Sequence, residues 1–383
     1  MKKVLLVDLN GIGKQSINAF PPLALLRLAN LYKEKAYDVY FHEVKQKPKI
    51  KNPDIICFST IFSFNDKSYI RYINAYIKAY PSATIRIGGP AVSINEDFYK
   101  KYLRNGNVEI TIGQDDEIEK YGPDYSIKKY NFSAGYTTKG CSRKCPWCVV
   151  PKIEPKTYKD KNWTRFIGYH RHFNAMDNNI LIFGASWLSE VLKELRIRKK
   201  TIDFNQGMDC RIFVKNKKIQ DVLLNNSDIF SAIRFSWDSE GVSDYAKKTS
   251  DILASNGIHR KAFWYMLIGF EETPKDVWNR IVYLANNRQS IKPMPYRNLS
   301  DGKIISAWAQ AFQNIFLGHW FINGIITEII VDELKTYENM IKFMSYCEQH
   351  YFKLSTMNKD MRQDIYRKLN ICKQSETDIN CFV

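Results

Sequence analysis

No stretch of about 18 uninterrupted apolar residues occurs in this chain, so no membrane-crossing helix is expected. The opening MKKVLLVDLNGIGKQS does not continue as a secretory signal. Asp8 and Asn10 break its apolar run too early, and no small-residue cleavage site follows. It reads instead as a first buried strand, and the expected compartment is the cytoplasm, with no membrane partner. Neither GxGxxG nor a Walker sequence is present, so GGP at 88–90 reads as an ordinary turn. There is no internal repeat and no long low-complexity tract. Cysteine is sparse, with eight in 383 residues. Three of those eight are crowded into KGCSRKCPWCVVP, at Cys141, Cys145 and Cys148. In a reducing compartment, clustered cysteines favour metal or redox chemistry over disulfides.

Basic residues are plentiful. The net charge of +17 is uneven along the chain. Residues 1–120 hold 18 Lys and Arg against 13 Asp and Glu, and 301–383 hold 9 against 10. Residues 121–300 hold 30 against 17, so the segment with the cysteines carries most of the surplus. Such a field attracts anions: nucleic acid, nucleotides or a cofactor with a carboxylate. The same surplus also reads as an ordinary lysine-rich surface.

Hydrophobic patterning predicts an α/β fold in three parts. Residues 1–120 alternate buried strands (4–9, 55–60, 84–89 and a weak one at 108–113) with amphipathic helices at 22–35 and 66–79. That alternation predicts a Rossmann-like, doubly wound parallel sheet. Residues 114–134, acidic and then rich in Pro, Gly and Tyr, read as a linker. Residues 121–300 contain six strand-like runs, at 132–138, 179–185, 201–207, 229–237, 262–270 and 291–296. Helices are expected between them near 187–197, 214–225, 241–256 and 274–287, the last opened by Thr273, Pro274 and Asp276. Six β/α units in series predict a partial (β/α)6 barrel, with its site at the C-terminal strand ends. Residues 301–383 read as a helical C-terminal region.

Thiolates suit iron–sulfur clusters, zinc and copper(I). Lys139, Arg143 and Lys144 place positive charge beside the thiols, which favours thiolates. Pro146 and Pro151 stiffen the loop, and Gly140 permits a conformation that a side chain would block. Three cysteines and a histidine also suit a Cys3His zinc site, with His170 and His172 of YHRHF as the candidates. That alternative is a non-catalytic, zinc-bearing nucleic-acid-binding protein, with His170 and His172 otherwise expected as surface or helix residues.

The C-x3-C-x2-C spacing, with Trp147 just before the third cysteine and a strand before the first, resembles the radical S-adenosylmethionine (SAM) superfamily. The resemblance covers roughly residues 130–300. It implies that Cys141, Cys145 and Cys148 hold a [4Fe–4S] cluster with one iron free for SAM. It also implies that an electron, from a donor such as flavodoxin or ferredoxin, cleaves SAM reductively. The expected product is a 5′-deoxyadenosyl radical acting on a further substrate, for which nucleic acid or a nucleotide is a candidate.

For SAM, the resemblance singles out Trp147, then Gly184 in Phe183-Gly184-Ala185-Ser186, where the family has Gly-Gly-Glu. It also points to Arg234, Ser236 and Asp238 in RFSWDS, and to Ile268 and Gly269 in YMLIGFEET. Asn205, Gln206, Asp209 and Arg211 of DFNQGMDCR are the candidates for substrate, with a hydrogen-bonded turn as the alternative. Cys57 and Cys210 read as buried thiols, and Cys210 is a weak candidate for hydrogen donation. The front segment resembles the cobalamin-binding-type domain that precedes many such enzymes. Its DLNGIG lacks the histidine of the D-x-H-x-x-G motif, so an empty fold ranks above bound cobalamin.

Overall fold

The structure, a computed structural model, describes residues 2–9, 20–44, 50–103, 107–299, 302–306, 309–310, 337–350 and 359–370. The chain divides into two compact units, Met1–Gln206 with Arg297–Lys303, and Gly207–Tyr296 with Ile304–Val383.

The first unit opens with a five-stranded sheet. Its strands are β1 (Lys3–Asp8), β2 (Asp38–Glu43), β3 (Ile55–Ser59), β4 (Thr84–Gly88) and β5 (Val108–Ile110). They lie in the order β2-β1-β3-β4-β5, parallel throughout. Strand alternation sends successive residues of β1 to opposite faces, and each face has its own core. Val4 and Leu6 pack with Leu25, Leu28 and Leu31 of α1 (Leu23–Glu34). Leu5 and Val7 pack with Tyr69, Ile73 and Tyr76 of α2 (Asp66–Ala79). A sheet covered on both faces explains why these strands are near-continuous apolar runs. Two short helices, α3 (Pro90–Ile94) and α4 (Glu96–Tyr102), follow β4. His42 is buried in β2. Of DLNGIG, Asn10–Gly13 lie outside the described residues.

Segment 114–134, expected as a linker, lies within the first unit and is tied to α1. Arg27 of α1, itself buried, donates to the Ile118 carbonyl at 2.7 Å and the Tyr121 carbonyl at 3.0 Å. Lys33 pairs with Asp124, and Lys35 with Glu117. The acidic composition that suggested a linker is the complement of a basic helix face.

Beyond it lie β6 (Ser133–Gly135), the short antiparallel pair β7 (Thr138–Lys139) and β8 (Tyr158–Lys159), α5 (Val150–Ile153), β9 (His172–Ala175), α6 (Gly184–Ile197) and β10 (Thr201–Phe204). Strands β6, β9 and β10 form a parallel ladder. The strand expected at 179–185 is absent: Ile180–Phe183 is a single 3-10 turn, and α6 begins at Gly184. The true strand is the half-polar HFNA of β9.

The second unit holds α7 (Cys210–Lys215), α8 (Lys217–Asn225), β11 (Phe230–Ser236), α9 (Ser243–Ser255), β12 (Ala262–Ile268), α10 (Pro274–Asn286) and β13 (Ser290–Pro295). Strands β11, β12 and β13 are again parallel neighbours. Helix α10 starts with a reciprocal capping box between Thr273 and Asp276, with Pro274 in its first turn. In the C-terminal region, α11 (Tyr337–Gln349) and α12 (Lys359–Lys368) are the described helices, and the remainder of the helical reading lies outside the described residues. The chain is therefore an α/β protein built on parallel strands. Among the described residues, no helix is long and apolar enough to cross a membrane.

Candidate functional site

Three consecutive strand exits of the β6-β9-β10 ladder carry chemistry-bearing residues. After β6 comes the cysteine loop, after β9 comes Asp177-Asn178-Asn179, and after β10 come Asn205 and Gln206. This is the C-terminal edge of a parallel ladder, where open α/β sheets present their ligands.

Cys141, Cys145 and Cys148 are half-buried, and none is in a disulfide. The Cys148 N–H donates to the Cys145 carbonyl at 3.0 Å, which folds the second half of the motif into a turn. Cys141 sulfur accepts from the Arg143 amide at 3.4 Å and lies 3.9 Å from the Asn179 side-chain nitrogen. Gly140 has φ of +71°, and a side chain there would place Cβ 2.2 Å from the Lys156 carbonyl oxygen. The glycine is therefore required twice over, by backbone conformation and by space. Trp147 is half-buried beside the third cysteine.

The loop stands on a buried polar frame that its spacing does not reveal. Glu154, just past α5, accepts the Gly140 N–H at 2.9 Å and the Asn178 side-chain N–H at 2.6 Å. Its other oxygen is 3.1 Å from Lys139 Nζ. Lys139 is buried and its ammonium lies 3.5 Å from the Tyr136 ring centroid. The lysine expected to activate the thiols is thus held by a carboxylate and an aromatic ring. Desolvation pulls its pKa down, yet Tyr136 and Glu154 together leave it raised. Asp177, fully enclosed, accepts from the Thr137 N–H and from the hydroxyls of Thr137 (2.7 Å) and Thr138. Burial pushes its carboxyl up to about 6 in spite of those donors.

On the ladder itself, Asn174 and Asp203 are in-register neighbours and both are buried. Asn205 lies two residues beyond Asp203 and so continues that face. Its side-chain nitrogen is 3.8 Å from Met176 sulfur, as is that of Gln206. The structure thus joins Asn205 to a polar face whose other members sequence reasoning missed. The available signal was the period-2 polarity of HFNA and TIDF.

His170 and His172 do not form the helical or surface pair expected. His170 is buried, sharing a hydrogen bond of 2.9 Å with Ser133 Oγ. His172 lies in β9, with Nδ1 2.9 Å from Thr201 Oγ1. Both bonds fit ordinary packing of a strand flank.

In the second unit, Asp209 caps α7: it accepts the Arg211 N–H at 2.9 Å and receives the Arg211 guanidinium at 2.8 and 3.0 Å. The turn reading accounts for both residues. Cys210 is buried and its thiol is pushed up to about 12 by desolvation. Arg234 and Ser236 do alternate along β11, both half-buried. Arg234 donates to Tyr265 Oη at 3.2 Å, and its guanidinium sits 4.4 Å from the Phe263 ring centroid. Asp238 accepts the Leu267 N–H at 3.1 Å, and desolvation pushes its carboxyl up to about 6. Ile268 is fully buried and accepts the Tyr296 N–H at 2.8 Å. At Gly269, with φ of +76°, a Cβ would come within 2.8 Å of the Ser306 and Ala309 side chains, so that segment packs on the glycine directly. Gly184 opens α6 rather than closing a strand.

Among the described residues, no three His, Cys, Asp or Glu side chains converge on a point that could hold a single metal ion. A four-iron cluster takes each thiolate on a different iron and does not need that convergence. The donor set, three half-buried thiols in one loop with two N–H donors near the first, suits such a cluster by its chemistry. No protein-family model matches the chain, and no curated protein matches it.

Proposed function

We propose that the chain is a radical SAM enzyme, with a cluster loop at Cys141, Cys145 and Cys148. One observation carries the reading: three half-buried cysteines, none in a disulfide, share one short loop at the exit of a parallel α/β strand, and Glu154 ties the start of that loop to its end. Cys141, Cys145 and Cys148 would hold a [4Fe–4S] cluster, which, with a donor such as flavodoxin or ferredoxin, would supply the electron for reductive cleavage of SAM.

The chain's own residues do the positioning. Gly140 lets the backbone turn into the loop, and Glu154 fixes that turn. The Arg143 amide and the Asn179 side-chain nitrogen approach Cys141 sulfur at 3.4 and 3.9 Å and help to position it. Asp177 fastens Thr137 and Thr138, so the strand entering the loop cannot drift. For the second unit, the proposal goes no further than residue types: a guanidinium at Arg234 suits a carboxylate, and a hydroxyl at Ser236 suits a sugar. The front sheet's order, 2-1-3-4-5, is that of doubly wound nucleotide- and flavin-binding folds, and the curl of a partial barrel belongs to the same proposal. Cobalamin is not included.

Anaerobic reconstitution with iron, sulfide, SAM and a reductant tests the reading. Release of 5′-deoxyadenosine and methionine supports it. Stoichiometric zinc without iron, and intact SAM, would refute it in favour of a zinc-bearing binding protein.

A further inference from the structure

Two of the most exposed large hydrophobic side chains among the described residues, Tyr169 at 69% and Ile197 at 66%, belong to one edge of the first unit. That edge is the N-terminal end of the β9–β10 pair. The Thr201 N–H donates to the Arg171 carbonyl at 3.0 Å, and Lys200 Nζ donates to the carbonyls of Gly168 (3.0 Å) and His170 (2.6 Å). Segments 168–171 and 196–200 are thereby tied together. Arg171, Arg196, Arg198 and Lys199 are exposed along them, and Lys193 is exposed one turn earlier on α6. Two carboxylates share the helix end: Glu194 is engaged by Arg198 at 2.6 Å, and Glu190 lies further back on α6.

Tyr169 is not a floppy surface residue. Its ring rests on the His170 ring, with centroids 4.1 Å apart and planes 32° from each other. His170 is buried and packs edge-on to Tyr125 at 5.0 Å. One face of Tyr169 is therefore held from below, while most of the residue stays in water. A supported aromatic on an edge that also carries exposed cations has the makings of a base-stacking platform beside a phosphate track.

We propose that this edge binds single-stranded nucleic acid, with a base stacked on Tyr169 and phosphates at Arg171, Arg196 and Lys199. An acidic protein would use the same cations but has no need of an open ring face, and the supported ring decides between the two. The assignment rests on these surface residues alone and does not depend on the cluster.

The test uses full-length protein and a short fluorescein-labelled RNA and DNA of the same sequence, read by anisotropy across a salt series. Tyr169→Ala should weaken binding about tenfold, the ordinary worth of one stacked base, and Tyr169→Trp should retain it. Arg171→Gln with Lys199→Gln should reduce the slope of log affinity against log salt by about 1.4, since two phosphates are left without a cation. Polyglutamate should compete poorly. Three results would each overturn the proposal: unchanged affinity in every variant, a harmless Tyr169→Ala, or competition by polyglutamate as effective as unlabelled RNA. Because the residues replaced are exposed, loss of fold does not confuse the outcome.

Discussion

The Glu154 carboxylate accepts the Gly140 N–H at 2.9 Å, joining the residue just before the first cysteine to the residue that follows α5. The same carboxylate neutralises buried Lys139. Glu154→Ala removes a backbone anchor and leaves an ammonium enclosed without its counter-ion, a loss on the order of 3–5 kcal/mol. Chemical denaturation should show that drop, with Glu154→Gln falling between the Ala variant and the parent. Equal stability of Ala variant and parent would mean that the frame does not restrain the loop.

Gly140→Ala is expected to damage the loop without touching a sulfur. The new methyl would meet the Lys156 carbonyl at 2.2 Å, and φ of +71° disfavours any side chain. Reconstituted iron per chain is the measurement, expected well below that of the parent. Full iron loading would show that the backbone at this point adapts freely.

The fate of Asp209 separates a cap from a substrate contact. As a cap, its replacement by Ala should cost about 1 kcal/mol of stability. SAM cleavage measured without substrate should be unaffected. A variant of undiminished stability would make Asp209 and Arg211 candidates for a ligand once more.

Asp177 predicts a pH dependence of stability. Its folded pKa, about 6, lies above the unfolded value near 3.8. The folded chain therefore holds its proton longer, and stability contributed by the protonated form is lost as pH rises from about 4 to about 6. Relative to Asp177→Asn, which lacks this titration, the parent should lose up to about 3 kcal/mol across that window. Parallel stability curves for the two proteins would contradict it.

Where burial pattern and spacing agree, the fold was readable. The apolar runs at β1, β3, β4, β11 and β12, and the capping signature at Thr273–Asp276, all lie as expected because each is a local consequence of local residues. The run LIF at 181–183 misled: it is apolar like a strand but forms a 3-10 turn ahead of α6, and periodicity cannot separate the two over so short a span. His172 and Asn174 hid β9, because in a strand of four residues the period-2 alternation is too short to stand out. The cysteines advertised themselves by spacing. Glu154 and Asp177 did not, since their importance comes from tertiary neighbours at Gly140, Lys139, Thr137 and Thr138 that no sequence interval encodes.

The most direct measurement is the low-temperature electron paramagnetic resonance spectrum of anaerobically reconstituted, dithionite-reduced protein, recorded before and after adding SAM. The account predicts the signal of a reduced four-iron cluster, altered by SAM, and absent when Cys141, Cys145 and Cys148 are all alanine. A signal that persists in the triple variant, or a parent protein that takes up no iron, would contradict it.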